Sequence, residues 1–286
     1  MFTLHNGDCL QVMPTIPSGS IDAIITDLPY GTTACAWDEV IPFAPMWEQV
    51  KRVLKPNGVF ITTASQPFTS ALVCSNIEWF RNETIWEKER PTNPLLCNKQ
   101  VLKYHENIWL FSQGQGTYNP QMSKKLKANK RKNKPREYST ETIGNKPSFS
   151  DMCLAGENEF IYPSSIQYFT MDRELHPTQK PLELYRYLIR TYTNEGETVL
   201  DICMGSGTTI EAAEMEGRNS IGIEKEIGYF QIAEKRAKSA VLQQRLFTPS
   251  NNRLHSDVGD SPAQQALFTP EAGSAKGKSP KPAPRR

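Results

Sequence analysis

The chain has 286 residues, 38% of them hydrophobic and 22% charged, with a formal net charge of +2, which suffices for the core of one large domain or two small ones. No apolar run approaches the roughly 20 residues of a membrane span, and MFTLHNGDCL is not a basic-then-apolar leader, so a cytoplasmic globular protein is expected. Cys9, Cys35, Cys74, Cys97, Cys153 and Cys203 form no CxxC pair and none has a histidine at metal-ligand spacing; free thiols in a reducing compartment, and no metal, follow.

Strand and helix signals alternate through the first hundred residues. IDAIIT (21–26) is a β-branched run, FAPMWEQVKRVLK (43–55) has helical apolar spacing, Pro56-Asn57-Gly58 reads as a turn and VFITTA (59–64) as another strand. This βαβ rhythm predicts an α/β fold, a doubly wound and mostly parallel sheet covered by helices. After the strand ENIWLFS the pattern stops, and residues 112–165 are rich in Gln, Asn, Lys, Ser, Pro and Gly, as in an inserted lobe. Regularity returns as helix PLELYRYLIRTY, strand ETVLDIC, helix GTTIEAAEME, strand RNSIGIE and helix IGYFQIAEKRAKSA. Residues 241–286 have the composition of a disordered tail. The expected division is therefore 1–111, 112–165, 166–240 and 241–286.

Charge follows these divisions. Residues 1–111 and 151–240 carry −3 and −6, whereas 112–150 carry +7 and 241–286 carry +4. Within the insert, KKLKANKRKNKPR holds eight basic residues and no acid: Lys124, Lys125, Lys127, Lys130, Arg131, Lys132, Lys134 and Arg136. A run this dense in an acidic body suits phosphate contacts, which give affinity without sequence information, and a polyanion is the expected partner.

Two loops carry the candidate chemistry. DLPYG follows IDAIIT directly, and DICMGSGTT (201–209) lies between a strand and a helix. Gly205 and Gly207 allow a sharp turn and close approach of a ligand; alone, they serve tight geometry equally well. Glu224 ends the next strand, fifteen residues after Thr209, where a carboxylate can accept from the ribose hydroxyls of a nucleoside cofactor. The spacing is not GxGxxG, which weakens a nicotinamide reading. Taken singly, Asp27 could cap a helix, Tyr30 could be core, and HPTQKP (176–181) could be only a helix start at Pro181.

These motifs together resemble the S-adenosylmethionine-dependent amino-methyltransferases of DNA, in the permuted arrangement that puts the catalytic motif first. The resemblance covers residues 4–240. DLPYG is similar to the family's catalytic tetrapeptide, HPTQKP to the segment before its cofactor strand, DICMGSGTT to its cofactor loop, and NGDCL to a segment whose acid, here Asp8, lies near the cofactor adenine. The family usually has proline where Leu28 stands and an aromatic residue where Cys203 stands.

The resemblance implies methyl transfer from S-adenosylmethionine to the N6 amine of adenine in duplex DNA, with the base flipped out of the helix. Asp27 and the Leu28 carbonyl would accept the amine's hydrogens, freeing its conjugated lone pair, with Pro29 fixing the backbone and Tyr30 stacking on the base. Asp8, His176, Thr178, Lys180, Asp201, Cys203, Gly205, Ser206, Gly207, Thr208 and Glu224 are the candidate cofactor residues. Trp37 and Asp38 would border the base pocket or belong to a shielding loop, and 112–165 would recognise the target. Cytosine N4 transfer is the alternative within the family, less favoured because such members more often have Ser at the position of Asp27; a silent DNA-binding module, or transfer to RNA or a protein amide, lies outside it.

Two further partners are expected. QQRLFTPS (243–250) and QQALFTPE (264–271) resemble the peptides that bacterial replication proteins insert into the sliding clamp, so Gln243–Phe247 and Gln264–Phe268 are candidate clamp ligands, against the reading of an inconsequential duplication or of elements packed on the body. A second copy of the chain is the other.

If the reading is right, the strands ending in Asp27 and Asp201 lie side by side and parallel, and their loops, with Asp27 and Gly205 178 positions apart in the chain, open into one crevice.

Overall fold

The computed structural model describes residues 1–32, 38–124, 160–171 and 179–247. The elements in chain order are β1 (Phe2–Asn6), α1 (Cys9–Val12), β2 (Ile21–Asp27), α2 (Phe43–Val53), β3 (Leu54–Ala64), α3 (Phe68–Ser75), β4 (Phe80–Glu87), β5 (His105–Ser112), β6 (Ser123–Lys124), β7 (Phe160–Ile161), β8 (Ile166–Tyr168), α4 (Leu182–Tyr192), β9 (Thr198–Asp201), α5 (Thr208–Met215), β10 (Asn219–Glu224) and α6 (Ile227–Phe247).

Eight strands form one sheet in the order β1-β10-β9-β2-β3-β5-β4-β8. Five of its seven pairings are parallel, and β5 runs antiparallel to both β3 and β4. β2 and β9 are neighbours in parallel register, Ala23 opposite Val199 and Ile24 opposite Leu200. From β2 the chain proceeds to one side of the sheet and from β9 to the other, so the gap between them is the switch point at which α/β folds gather ligands.

Alternation along the strands divides the core into two layers. Ile24, Phe60 and Leu200 face one side, where α1, α2 and α3 contribute Cys9, Met46, Trp47, Val50, Phe68 and Leu72. Ala23, Ile25, Val59, Ile61 and Val199 face the other, against Leu184, Tyr185, Leu188 and Ile189 of α4 and Ala212 and Ala213 of α5. The helices form because their apolar residues recur on one face: α2 buries Met46, Trp47, Val50 and Val53, and ends with Lys51 and Arg52 near its negative pole. Central strands covered on both faces are largely apolar, hence Ala23, Ile24 and Ile25 in succession within IDAIIT.

Three findings depart from the sequence reading. Pro56-Asn57-Gly58 lies inside β3, where a two-residue step on β2 (Ile21 to Ala23) is set against a five-residue step (Leu54 to Val59), so the turn residues are absorbed as an irregularity of the strand. Ile166–Tyr168, assigned to the later half, pairs with β4 at the far edge of the sheet. Helix α6 continues to Phe247, because AVLQQRLF contains good helix formers; the first clamp-like stretch is thus helical backbone and not part of a coil starting at 241. The second, Gln264–Phe268, lies outside the described residues. Among the described residues no helix is long and apolar enough to cross a membrane.

Candidate active site

Four loops meet at the carboxyl edge of the parallel strands. They follow β1 (Gly7-Asp8), β10 (Glu224), β9 (Asp201 to Gly207) and β2 (Asp27 to Tyr30). The two central loops are tied directly, since Thr26 Oγ1 donates to Asp201 Oδ1 at 2.7 Å. The two motifs therefore start from neighbouring ends of adjacent parallel strands, as the adjacency argument required.

Asp27 is the last residue of β2. Its Oδ1 accepts from Thr63 Oγ1 and, at 2.9 Å, from Tyr30 Oη; its Oδ2 accepts from Lys180 Nζ at 2.7 Å. Leu28 turns its side chain into the core, which anchors the tetrapeptide. Beyond Pro29, Asp38 bends back and accepts the backbone N–H groups of Tyr30 (2.8 Å), Gly31 (2.9 Å) and Thr32 (2.9 Å). Asp38 is thus a brace of this loop, a role its sequence position did not specify. The Tyr30 ring stacks on Phe68 with centroids 5.3 Å apart and planes at 25°, and burial, then Asp27 and Glu106, hold its phenol well above the ordinary value. It remains a neutral donor to Asp27.

Behind Asp27 lies a charge cluster in which Lys180, expected among the cofactor residues, pairs with Asp27 itself, and in which Glu106 and Lys88 were not singled out from the sequence. Lys180 Nζ, paired with Asp27, is also 3.4 Å from Glu106 Oε2, and Glu106 Oε1 accepts from Lys88 Nζ. Lys88 and Glu106 are both buried; they come from the end of β4 and from β5, beside the Trp86–Glu106 strand pair. Burial alone would lower the Lys180 pKa, but the Asp27 and Glu106 carboxylates outweigh it and raise it. Burial would likewise raise Glu106, yet Lys180 and Lys88 hold it below the usual carboxylate range. The available signal was a lone acid in the apolar run of ENIWLFS and a lysine after TIWE.

On the cofactor side, Asp201 is buried and accepts from Thr26, Thr209 Oγ1 and, at 3.0 Å, Cys203 N–H. It fixes the start of the loop from within. Burial pushes its carboxyl up to about 6 against those three donors. Gly205 and Gly207 adopt left-handed φ of +53° and +83°, and Gly207 caps α5. Glu224 accepts from Gly205 N–H at 2.8 Å with Oε2 and from Glu226 N–H at 2.7 Å with Oε1, and burial raises its carboxyl. Asp8 sits next to it, because Asn6 pairs with Glu224 in register; Asp8 caps α1 through Leu10 N–H at 2.8 Å.

Ser206 Oγ and Thr208 Oγ1 accept from Arg236 Nη1 of α6 at 3.0 and 3.2 Å, which ties the loop to α6 and leaves each hydroxyl its own O–H to donate. The Cys203 thiol contacts that of Cys9. Lys124 is exposed in β6, which pairs with β7 as a two-residue ladder. Trp37, His176, Thr178, Lys125, Lys127, Lys130, Arg131, Lys132, Lys134 and Arg136 lie outside the described residues.

The crevice suits a cationic nucleoside cofactor. A Cβ built on Gly205 meets nothing within 4 Å, so the turn borders open space; Glu224 and Asp8 stand beside it, and each engaged Glu224 oxygen keeps a second lone pair for a ribose hydroxyl.

Residues 21–235 match the sequence profile of the DNA methylase family N6_N4_Mtase. The chain belongs to that family. Its relatives include the type II methyltransferase M.HinfI of Haemophilus influenzae, 28% identical over 265 residues that cover 82% of this chain and 68% of M.HinfI. Another is the DNA adenine methyltransferase YhdJ of Escherichia coli K12, 26% identical, with 82% of each chain covered. Among solved structures, the M1.HpyAVI–SAM complex superposes with a TM-score of 0.56 at 24% identity, covering 82% of this N6/N4 methylase and all of that chain. The cytosine-N4-specific PvuII DNA methyltransferase gives 0.60 at 18% identity, covering 82% and 86%. The shared fold thus serves both kinds of target amine.

Proposed function

We propose that this DNA methyltransferase acts on the N6 amine of adenine in duplex DNA, with the base turned out of the helix into the crevice beside Asp27. The observation that carries the reading is the placement of Asp27 and Tyr30 at the tip of β2, next to the β9 loop, at the sheet's switch point. Adenine is favoured by the carboxylate at position 27 and by the activity named for YhdJ.

When bound, S-adenosylmethionine supplies an electrophilic methyl group on a sulfonium. Glu224 and Asp8 would hold its ribose and adenine, with the Gly205–Gly207 backbone alongside. The remaining work belongs to the chain. An exocyclic amine is a poor nucleophile because its lone pair is conjugated into the ring. Asp27 and the Leu28 carbonyl accept its two hydrogens, favour a tetrahedral nitrogen and direct the lone pair at the methyl group; as the nitrogen–carbon bond forms the sulfur–carbon bond breaks with its electron pair left on sulfur, and the surplus proton on nitrogen passes to the Asp27 carboxylate. Tyr30, backed by Phe68, offers a stacking surface for the extruded base. Most of the acceleration then comes from orientation and exclusion of water, with Asp38 keeping the tetrapeptide rigid.

The test is incubation with isotope-labelled S-adenosylmethionine and duplex DNA amplified from unmodified nucleotides, followed by digestion to nucleosides and mass spectrometry. Labelled N6-methyladenine is the expected product. Labelled N4-methylcytosine would reassign the target base, and an unlabelled digest would refute the enzyme.

A further inference from the structure

The target amine needs an oxygen of Asp27, and it finds Oδ1 filled by two donors and Oδ2 already on an ammonium that it must crowd or displace. Oδ1 takes Thr63 and Tyr30, and Oδ2 takes the Lys180 ammonium. The base also needs a face of Tyr30. Phe68 is stacked on that ring, and the same ammonium stands over it, 5.6 Å from the centroid. Lys180 therefore occupies the place of the base on two counts.

The cluster contains a second seat for that ammonium. Glu106 Oε2 is buried and, among the described residues, accepts no hydrogen bond. It lies 3.4 Å from Lys180 Nζ, within ion-pair range but misaligned. A buried carboxylate oxygen without a donor is costly, and here the donor stands nearby, committed to another acid. Lys88 holds Glu106 Oε1 and, 4.4 Å over the Trp86 ring, is itself fixed. The carboxylate is thus locked with one lone-pair edge turned to Lys180.

We propose that Lys180 is a two-position plug, seated on Asp27 while the base pocket is empty and moved onto Glu106 Oε2 when the target base enters. Glu106, fixed by Lys88, is the positioning residue that receives it. The exchange conserves charge inside the protein: the amine replaces the ammonium on Asp27, and the ammonium completes the missing hydrogen bond of Glu106. At both stages the Asp27 carboxylate keeps hydrogen-bond donors, from Thr63 and Tyr30 and then from the amine, and the ammonium passes directly from one carboxylate to another, which limits the cost of the step. The plug also keeps the Asp27 carboxylate paired when no base is present. The inference rests on Asp27 being the amine acceptor, as proposed above.

The experiment uses the full chain as wild type, Glu106→Gln, and Glu106→Gln combined with Lys180→Met. Each is titrated by NMR with deoxyadenosine and deoxycytidine monophosphate, and assayed for single-turnover methyl transfer to the unmodified duplex mixture. Removing the receiving carboxylate strands Lys180 on Asp27, so Glu106→Gln should weaken nucleotide binding and slow transfer by about tenfold to a hundredfold, the worth of one charge-assisted hydrogen bond. Removing the plug as well should restore both, an improvement from a second deletion that a merely structural lysine would not give. A double variant no better than Glu106→Gln, or a Glu106→Gln variant equal to wild type, overturns the plug. Should Glu106→Gln fail to fold, Glu106→Asp, which withdraws the carboxylate by one methylene, is put through the same rescue. Wild type that binds nucleotide but transfers no label refutes the enzyme reading alone, and the plug is then judged on the titration.

Discussion

Gly205 and Gly207 lie two residues apart in one turn, and the structure separates what an alanine would do at each. At Gly207, a Cβ would stand 2.8 Å from Ala233 Cβ and 2.9 Å from Ala233 Cα in α6. The second neighbour is helix backbone and cannot give way. The left-handed φ of +83° costs an L-residue about 1–2 kcal/mol, and forcing a methyl group into a filled space costs about 1–3 kcal/mol more. Gly207→Ala should therefore lose about 3 kcal/mol, a fall of about 6–12 °C in melting temperature for a domain of this size. At Gly205 the φ of +53° carries the backbone cost alone, and the Cβ meets nothing within 4 Å. Gly205→Ala should lose about 1–2 kcal/mol, but its methyl projects into the space read as the cofactor crevice. Melting curves, and calorimetric titration with S-adenosylmethionine, should show a stable Gly205→Ala whose affinity has dropped at least about tenfold through steric exclusion. The reasoning fails if Gly205→Ala binds the cofactor like wild type, or if the two variants melt together.

Substitutions at three other positions probe the rest of the site. Tyr30→Phe keeps the stack on Phe68 and deletes one donor to Asp27, so kcat should fall by about tenfold to a hundredfold, one hydrogen bond to a charged group, with DNA binding unchanged in a gel-shift assay; Tyr30→Ala should lose far more. Asp38→Ala frees the N–H groups of Tyr30, Gly31 and Thr32, and steady-state kinetics should show a drop of about tenfold or more in kcat/KM while S-adenosylmethionine binding holds. Asp201 titrates at about 6 in the fold and at about 3.9 unfolded, so between those values the folded chain holds a proton that the unfolded chain lacks. This group therefore adds stability as pH falls from 6 towards 4 and withdraws it as pH rises through 6. The difference in urea-unfolding free energy between wild type and Asp201→Asn should follow that slope over pH 4–7; a constant difference would show that Asp201 does not titrate there.

The parts of the fold that were legible share a physical cause. IDAIIT and TVLD are covered on both faces, so their middles, Ala23 to Ile25 and Val199 to Leu200, are consecutive apolar residues, and the helix at 182–192 has Leu184, Tyr185, Leu188 and Ile189 on its buried side. Strand β4 was not legible because it lies towards the sheet edge, where FRNETIWE mixes charges with one fully buried residue, Trp86. Helix α6 was cut short because the polar tail beyond it dominates the local composition. Within the site, the residues that meet the two loops head-on could be named from motif order. Those that act from behind could not: Thr63, Lys88 and Glu106 reach Asp27 only through the pairing of β2 with β3 and of β5 with its two antiparallel neighbours.

That difference follows from the two halves of the sheet. The cofactor side is built from consecutive parallel units, whose loops present their residues in chain order at one edge, so a linear motif suffices to find them. The catalytic side is closed by the antiparallel β4–β5 hairpin, which brings an acid and a lysine from opposite strands under the tip of β2. Buried charges there must be neutralised by partners of opposite sign, and Asp27, Lys180, Glu106 and Lys88 form such an alternating chain. Its length matters. With Lys180 alone, a base reaching Asp27 would have to leave an ammonium with no carboxylate beside it; with Glu106 beyond it, the ammonium has another carboxylate within 3.4 Å, so the acid at the tip of β2 becomes available to the amine while the lysine stays paired.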